Sequence, residues 1–341
     1  MVTALEHQAI LDLPKTELHI HIEGTLEPEL ALELAARNGI TLPWSTLEEL
    51  RAQYDFVNLQ SFLDLYYQLM STLRTAQDFR DLMLAYLEHA HHDGIRHAEI
   101  FFDPQVHINN GLEFDTVMDG LLEGLSIGRE RYGITGGLIA CIVRDLPVTS
   151  AMDTLKALES RREDLLGIGL DSAEVGYPPS LFTEVFSRAR ELGLHVVAHA
   201  GEEGPASYVI EALDQLQVER IDHGIRCSDD QDLMHRLASS DIALTSCPLS
   251  NRRLQVVQDL RELPLHQFLE GGIRVTVNSD DPAYFGGYLA ANYEALIDSG
   301  YSLRECAAFC RNGIEASFIG NRRQAVLFEE YERWCAQYLN E

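Results

Sequence analysis

The sequence predicts an α/β fold in which eight parallel strands close into a (β/α)8, or TIM, barrel with extra helices capping its C-terminal face. Three observations predict it. Eight short runs rich in β-branched or aromatic residues recur along the chain, segments with helical spacing separate them, and 341 residues suit eight such units. Strands that alternate with helices pair in parallel through right-handed crossovers. An open doubly wound sheet is the alternative. It favours a glycine-rich phosphate turn after the first strand, and the stretch His21-Ile22-Glu23-Gly24-Thr25 holds a single glycine.

In chain order the strands are expected at 17–23, 95–102, 137–143, 165–171, 194–200, 219–223, 241–246 and 273–279. Residues 28–38 keep leucines and alanines three and four apart and stop at Gly39, a helix C-terminal signal. The stretches 181–192 and 205–216 have the same spacing. Residues 43–92 are too long for one crossover and read as helices with an aromatic stripe. Phe56, Phe62, Tyr66 and Tyr67 in that stripe either pack in a core or shield a ligand at the barrel mouth. No linker, repeat or low-complexity tract divides the chain, so 1–341 reads as a single domain.

Composition excludes several partners. Hydrophobic residues make up 46% and charged residues 23%, as in ordinary globular proteins. With 26 basic against 54 acidic residues the formal charge is -28, which repels nucleic acid and anionic membrane surfaces. No run reaches the ~18 apolar residues of a membrane helix, and the N-terminal stretch lacks the charge and apolar core of a signal peptide. Six scattered cysteines suit reduced thiols and a cytoplasmic location. Cys306 and Cys310 share a helix face without a nearby histidine and read as packing thiols. Composition leaves a homo-oligomer open.

The chemistry concentrates at strand ends. His19 and His21 alternate on the first strand, so both imidazoles point inward while Ile20 and Ile22 face the helices. Two buried imidazoles side by side suit a shared Zn2+, although the pair alone leaves a structural role open. His199 ends the fifth strand, His223 the sixth, and Asp280-Asp281 the eighth. These are the positions where barrel enzymes place their catalytic groups. His89, His91, His92 and His97 read as a solvated helix end, and His7, His107, His195, His235 and His266 show no partner pattern.

Five motifs carry a resemblance. They are His19-Ile20-His21-Ile22-Glu23-Gly24, His199-Ala200-Gly201-Glu202, Ile221-Asp222-His223-Gly224, Cys247-Pro248-Leu249-Ser250-Asn251 and Ser279-Asp280-Asp281-Pro282. Together, over about residues 13–325, the chain resembles the adenosine/adenine deaminase family of the amidohydrolase superfamily. Within it the chain looks most like bacterial members that act on the free base. The resemblance implies one zinc ion per subunit held by His19, His21, His199 and Asp280. It implies Glu202 as proton donor to the purine ring, His223 as the group that orients and helps deprotonate the attacking water, and Asp281 as hydrogen-bond partner of an imidazole nitrogen. The implied reaction is adenine to hypoxanthine and ammonia, a purine-salvage step. Deamination of adenosine or of N6-substituted adenines is the alternative, and a catalytically inactive purine-binding protein is the alternative of another class.

The residue chemistry agrees with those roles. Zinc brings the acidity of water toward ~7. Attack at C6 disrupts an aromatic ring, so protonation of N1 is needed, and Glu202 lies one turn beyond His199. Its proton must survive at neutral pH, which burial achieves. Cytidine-deaminase chemistry is excluded, because Cys247-Pro248 has the wrong order and no second cysteine follows. The fourth strand ends Leu170-Asp171-Ser172 without the lysine that bridges two metals. Two departures bear on substrate. Glu23 stands where adenosine deaminases usually carry aspartate, and Glu174 stands near a usual glycine. Both are expected on the substrate, crowding out a sugar. Ser279 and Asn278 are expected beside the ligands.

Overall fold

All eight strands form in a computed structural model of the chain, which describes residues 1–56 and 58–339. They are β1 (Lys15–His21), β2 (Ile95–Phe102), β3 (Thr135–Val143), β4 (Gly167–Asp171), β5 (His195–Ala200), β6 (Arg220–His223), β7 (Ala243–Ser246) and β8 (Arg274–Val277). β2 matches its expected bounds, and the others differ by a residue or two at their ends. Val57, which falls inside the predicted cap, and Asn340 and Glu341, which complete the predicted 1–341 domain, lie outside the described residues.

Every neighbouring pair in the order β1 to β8 is parallel. The seam between β8 and β1 closes through Asp280. Its backbone N–H donates to the His19 carbonyl at 3.1 Å, and its carbonyl accepts from the His21 N–H at 3.0 Å. The result is a (β/α)8 TIM barrel.

Strand alternation sorts the side chains. A register shift between Glu17 and Ile20 turns His19 and His21 inward. Ile20, Ile22, Ala98, Ile100, Phe102, Ile168, Leu170, Ala198 and Ala200 face outward into one continuous core shared with the helices. Each large apolar side chain so buried contributes ~1.5–3 kcal/mol. Inside the barrel, Phe101, Ile139, Cys141 and Val197 form a small separate cluster. Below it lies a polar floor. Arg220 Nη1 donates to Glu99 Oε2 at 2.5 Å, the Phe318 N–H donates to Glu99 Oε1 at 2.5 Å, and the Phe318 ring lies 4.8 Å from the guanidinium.

The predicted helix Pro28–Asn38 forms and ends at Gly39, whose φ of 65° is the left-handed conformation glycine adopts freely. Residues 205–216 begin as the helix Ala206–Glu211 and widen into the π-helical turn Ala212–Leu216. The long 43–92 stretch becomes Leu47–Arg51, Leu59–Met70 and Ala76–His92. Each starts with a reciprocal capping box, Thr46 with Glu49, Asn58 with Ser61, and Thr75 with Asp78. Phe62, Tyr66 and Tyr67 of this cap line the barrel mouth, whereas Phe56 sits behind them against Phe62, Tyr284 and Phe285. Among the described residues no helix is long and apolar enough to cross a membrane.

Candidate active site

The mouth of the barrel holds a pocket lined by groups that include His21, His199, Glu202, His223, Asp280, Asp281, Asp103 and Asp171, and roofed by Phe62, Tyr66, Tyr67 and Phe285. Parity delivers most of these groups. His21, Asp103, Asp171 and His199 continue the inward-facing series of β1, β2, β4 and β5. His223 is different. Arg220 and Asp222 take the inward positions of β6, so simple alternation sends His223 outward. Its φ of 61° turns the side chain back into the mouth. Asp280 and Ser172 also have φ near 65–70°. Left-handed backbone at non-glycine residues is strained; among the described residues it occurs at these three strand ends on the site and also at Gln217 and Gln255, away from it.

His19, His21, His199 and Asp280 bring one donor atom each within 4.8 Å of the others. His19 Nε2 is 3.1 Å and His21 Nε2 is 3.6 Å from Asp280 Oδ1. His21 Nε2 and His199 Nε2 lie 3.2 Å apart. Two imidazole nitrogens that close suit a shared cation, and three neutral imidazoles with one carboxylate form a donor set for a divalent ion. Burial pushes His21 down to about 4, and burial with its imidazole neighbours holds His199 well below the usual histidine range. Asp280 stays well below the usual carboxylate range despite burial, because His19 and the other imidazoles face it.

Supports stand behind the donors. Thr245 Oγ1 lies 2.9 Å from His19 Nδ1 and donates to Asp222 Oδ1 at 3.0 Å. Asp222 Oδ2 is 3.6 Å from His199 Nδ1, and Asp171 Oδ2 is 3.7 Å from His21 Nδ1. At these separations the two acids are ionic neighbours of the imidazoles and do not hydrogen-bond them. Arg144, fully buried, donates from Nη1 to the His199 carbonyl at 2.7 Å. Asp222, Asp171, Thr245 and Arg144 were given no role from sequence. The inward parity of β4 and β6 points to the two acids, and Asp222 also stands in the motif Ile221-Asp222-His223-Gly224.

Glu202 and His223 face each other, with Oε2 3.5 Å from Nε2, and His223 Nε2 is 3.7 Å from Asp280 Oδ2. Glu202 is buried and its proton affinity is raised well above the usual range, first by burial and then by Asp280, Glu174 and Glu203. Burial therefore favours its protonated form. Burial pushes His223 down to about 3, so it is a neutral base. Asp281 lines the pocket with Oδ1 free of protein partners among the described residues, and burial followed by Asp280 pushes it well up. A side chain on Gly24 would land on the Asp281 carboxylate, which explains glycine there. Ser279 hydrogen-bonds Glu17, and Asn278 Oδ1 accepts from the Leu18 N–H at 2.8 Å.

Two expectations are corrected. Glu174 does not reach the pocket wall. Its carboxylate accepts the backbone N–H groups of Gly201 (2.6 Å), Glu202 (3.1 Å), Glu203 (3.0 Å) and Gly204 (2.8 Å). Both oxygens are engaged by the loop that carries Glu202, so Glu174 positions that loop. Glu23 is fully buried behind the wall, where Oε1 accepts from the Asp103 N–H at 3.1 Å and lies 2.8 Å from His107 Nε2. Its partner is a histidine on the helix Pro104–Asn109, which brings the chain after β2 against the site.

Known proteins share this sequence and architecture. Residues 14–334 match the family described as adenosine deaminase. The chain is 52% identical over 339 residues to an adenine deaminase of Streptomyces coelicolor, covering 98% of this chain and 96% of the relative. A crystal structure of adenine deaminase from Arthrobacter aurescens superposes with a TM-score of 0.93 at 51% identity, covering 95% and 99% of the two chains. An amidohydrolase from Burkhoderia ambifaria, solved with bound zinc, superposes with a TM-score of 0.92 at 25% identity, covering 100% and 96%.

Proposed function

This chain belongs to the adenosine deaminase family, and from that premise we propose that it hydrolyses adenine to hypoxanthine and ammonia. One observation carries the reading. A neutral carboxyl, Glu202, and a neutral imidazole, His223, stand 3.5 Å apart beside a cluster of four donors for a cation. We assign zinc to His19, His21, His199 and Asp280, in keeping with the donor set and with the zinc in the Burkhoderia ambifaria structure. The chemistry a bound zinc supplies is Lewis acidity that makes water nucleophilic near neutral pH.

The protein groups divide the proton work. Glu202 gives its proton to N1, which makes C6 electrophilic. His223 accepts one proton of the attacking water and passes it to the departing amine, which leaves as ammonia. The second water proton returns Glu202 to its acid form, and oxygen remains at C6. Asp281 hydrogen-bonds the imidazole nitrogen next to C6, N7. Phe62, Tyr66 and Phe285 exclude solvent above the ring. The domain 1–341 acts as one hydrolase unit, in the cytoplasm and in purine salvage.

Ammonia release from adenine, adenosine and N6-alkylated adenines, with metal analysis of the same sample, tests the reading. The expected outcome is strong preference for adenine, loss of turnover on chelation and recovery with zinc. Preference for the nucleoside would overturn the substrate assignment. Bound zinc without ammonia from any aminopurine would favour a binding protein.

A further inference from the structure

Asp281 has a structural twin that no sequence motif singled out. Asp103-Pro104 follows β2 as Asp281-Pro282 follows β8. The two aspartates adopt nearly the same backbone, with φ/ψ of −106°/79° and −116°/73°, and each stands at the N-cap of the short helix that follows. An aspartate in that position ordinarily caps the helix with its carboxylate. Neither does so here. Both side chains instead line the pocket, both are at least 95% buried, and each has Oδ1 without a protein partner among the described residues. A buried acceptor left unpaired costs stability unless a ligand satisfies it.

The purine's orientation assigns each twin a nitrogen. C6 lies at the four-donor cluster and N1 at Glu202. Asp281, adjacent in sequence to Asp280, takes N7, the imidazole nitrogen nearest C6. In the closed strand order Asp103, after β2, stands two strands from Asp281, after β8, and three from Glu202, after β5. It therefore stands toward the imidazole end of the ring, beyond Asp281. The remaining nitrogen there is N9. In free adenine N9 carries a hydrogen and needs an acceptor. In adenosine it carries ribose in place of that hydrogen and offers the acceptor no donor. Asp103 is pinned in place, since its N–H donates to Glu23 Oε1 and its side chain hydrogen-bonds Asp171.

Resting on the adenine reading above, we propose that Asp103 is the residue that selects the free base, by accepting the N9–H at its unpartnered Oδ1. The crowding expected from Glu23 is then indirect. Glu23 holds the backbone of Asp103, and Asp103 meets the substrate.

The test compares kcat/KM for adenine and 9-methyladenine in the zinc-loaded wild type and in Asp103→Asn, Asp103→Ser and Asp103→Ala. Asparagine keeps a carbonyl acceptor and an N–H for Asp171, so Asp103→Asn retains adenine turnover within a few-fold. Asp103→Ser and Asp103→Ala lose roughly 10- to 100-fold on adenine and narrow the adenine-to-9-methyladenine ratio by about tenfold or more, with zinc content unchanged. If the serine and alanine variants lose both substrates equally, Asp103 is structural and the proposal fails. If the asparagine variant loses as much as alanine while holding zinc, the acceptor role is wrong. If the wild type itself releases no ammonia from adenine, the functional reading fails instead, which is a different result from either.

Discussion

The barrel buries acidic side chains at both ends and treats them in opposite ways. At the floor, Glu99 is fully buried with both oxygens engaged by Arg220 and the Phe318 N–H, and the guanidinium holds its proton affinity below the usual carboxylate range despite burial. At the mouth, burial followed by neighbouring acids pushes Glu202, Asp103 and Asp281 well above that range, and Glu202 also faces the imidazole of His223. Each also keeps one oxygen without a protein partner. Burial alone therefore does not decide the charge of a carboxyl group; a cation such as Arg220 against Glu99 reverses its effect. A completed ion pair at the floor belongs to the architecture. Uncompleted neutral acids at the mouth belong to a reaction, because their missing partners are supplied by substrate.

The largest effect comes from breaking the mouth side of that contrast. Glu202→Gln keeps the shape and removes the transferable proton. Its kcat for adenine is expected to fall by about 10^3-fold or more, at the upper range for general acid catalysis, with the fold and metal content unchanged. Near-normal ammonia release from this variant would remove Glu202 from the role of acid.

Breaking the floor gives the reverse signature. Arg220→Met leaves Glu99 buried without its cation, and stability should drop by ~3–5 kcal/mol. The midpoint of urea unfolding reads this, while kcat per folded molecule stays within a few-fold. Adding Glu99→Leu recovers part of the loss, since the uncompensated charge goes but the Phe318 N–H stays unpaired. A floor variant that stayed stable yet lost turnover would mean that the two ends are not independent.

Most of the mouth was legible in the sequence because period-two alternation and strand ends locate it. His19 with His21, His199, and Asp280 with Asp281 follow from those rules, whereas Glu202 follows from the resemblance carried by His199-Ala200-Gly201-Glu202. Asp103 obeyed the same rule, since 97, 99, 101 and 103 form one inward series, but a lone Asp-Pro after a strand carries no spacing signal. The floor was invisible for a related reason: Glu99 and Arg220 are 121 residues apart, and only the closed sheet makes them neighbours. Glu174 lies in the expected loop, but its carboxylate turns to the backbone of residues 201–204 and away from the substrate. Its four amide bonds depend on the path of residues 201–204, including the φ of 74° at Gly201, which no side-chain pattern encodes.

Glu174 links the two behaviours, as a satisfied carboxylate that serves an unsatisfied one. Glu174→Gln offers one carbonyl and two hydrogens to four converging N–H groups. With a cost of about 1–3 kcal/mol for unpaired donors, kcat should fall roughly 10- to 100-fold as Glu202 loses its fixed position. KM and zinc content should change much less. An equal loss in Tm and no loss in kcat would make Glu174 a purely structural anchor. Glu174→Asp, which keeps the charge on a shorter arm, should recover part of the rate.

The smallest effect is a pair of opposite slopes in stability against pH. Glu99 has a lowered folded-state pKa. Its contribution is present above the unfolded value of about 4.3 and is lost as pH falls through the folded one. Glu17, next to the seam, is the contrasting case. Tyr86 Oη donates to its Oε2 at 2.7 Å and Ser279 bonds its other oxygen, yet burial pushes it up to about 7. A raised acid binds its proton more tightly when folded, so its contribution is fully present below about pH 4.3 and is lost as pH rises through 7. Glu99→Gln should therefore flatten the acid limb of the urea midpoint below pH ~4.3, and Glu17→Gln should flatten the decline between there and pH 7. Slopes of the same sign in both variants would show that one of the two partners, Arg220 or the Tyr86–Ser279 pair, does not govern its carboxyl as the geometry requires.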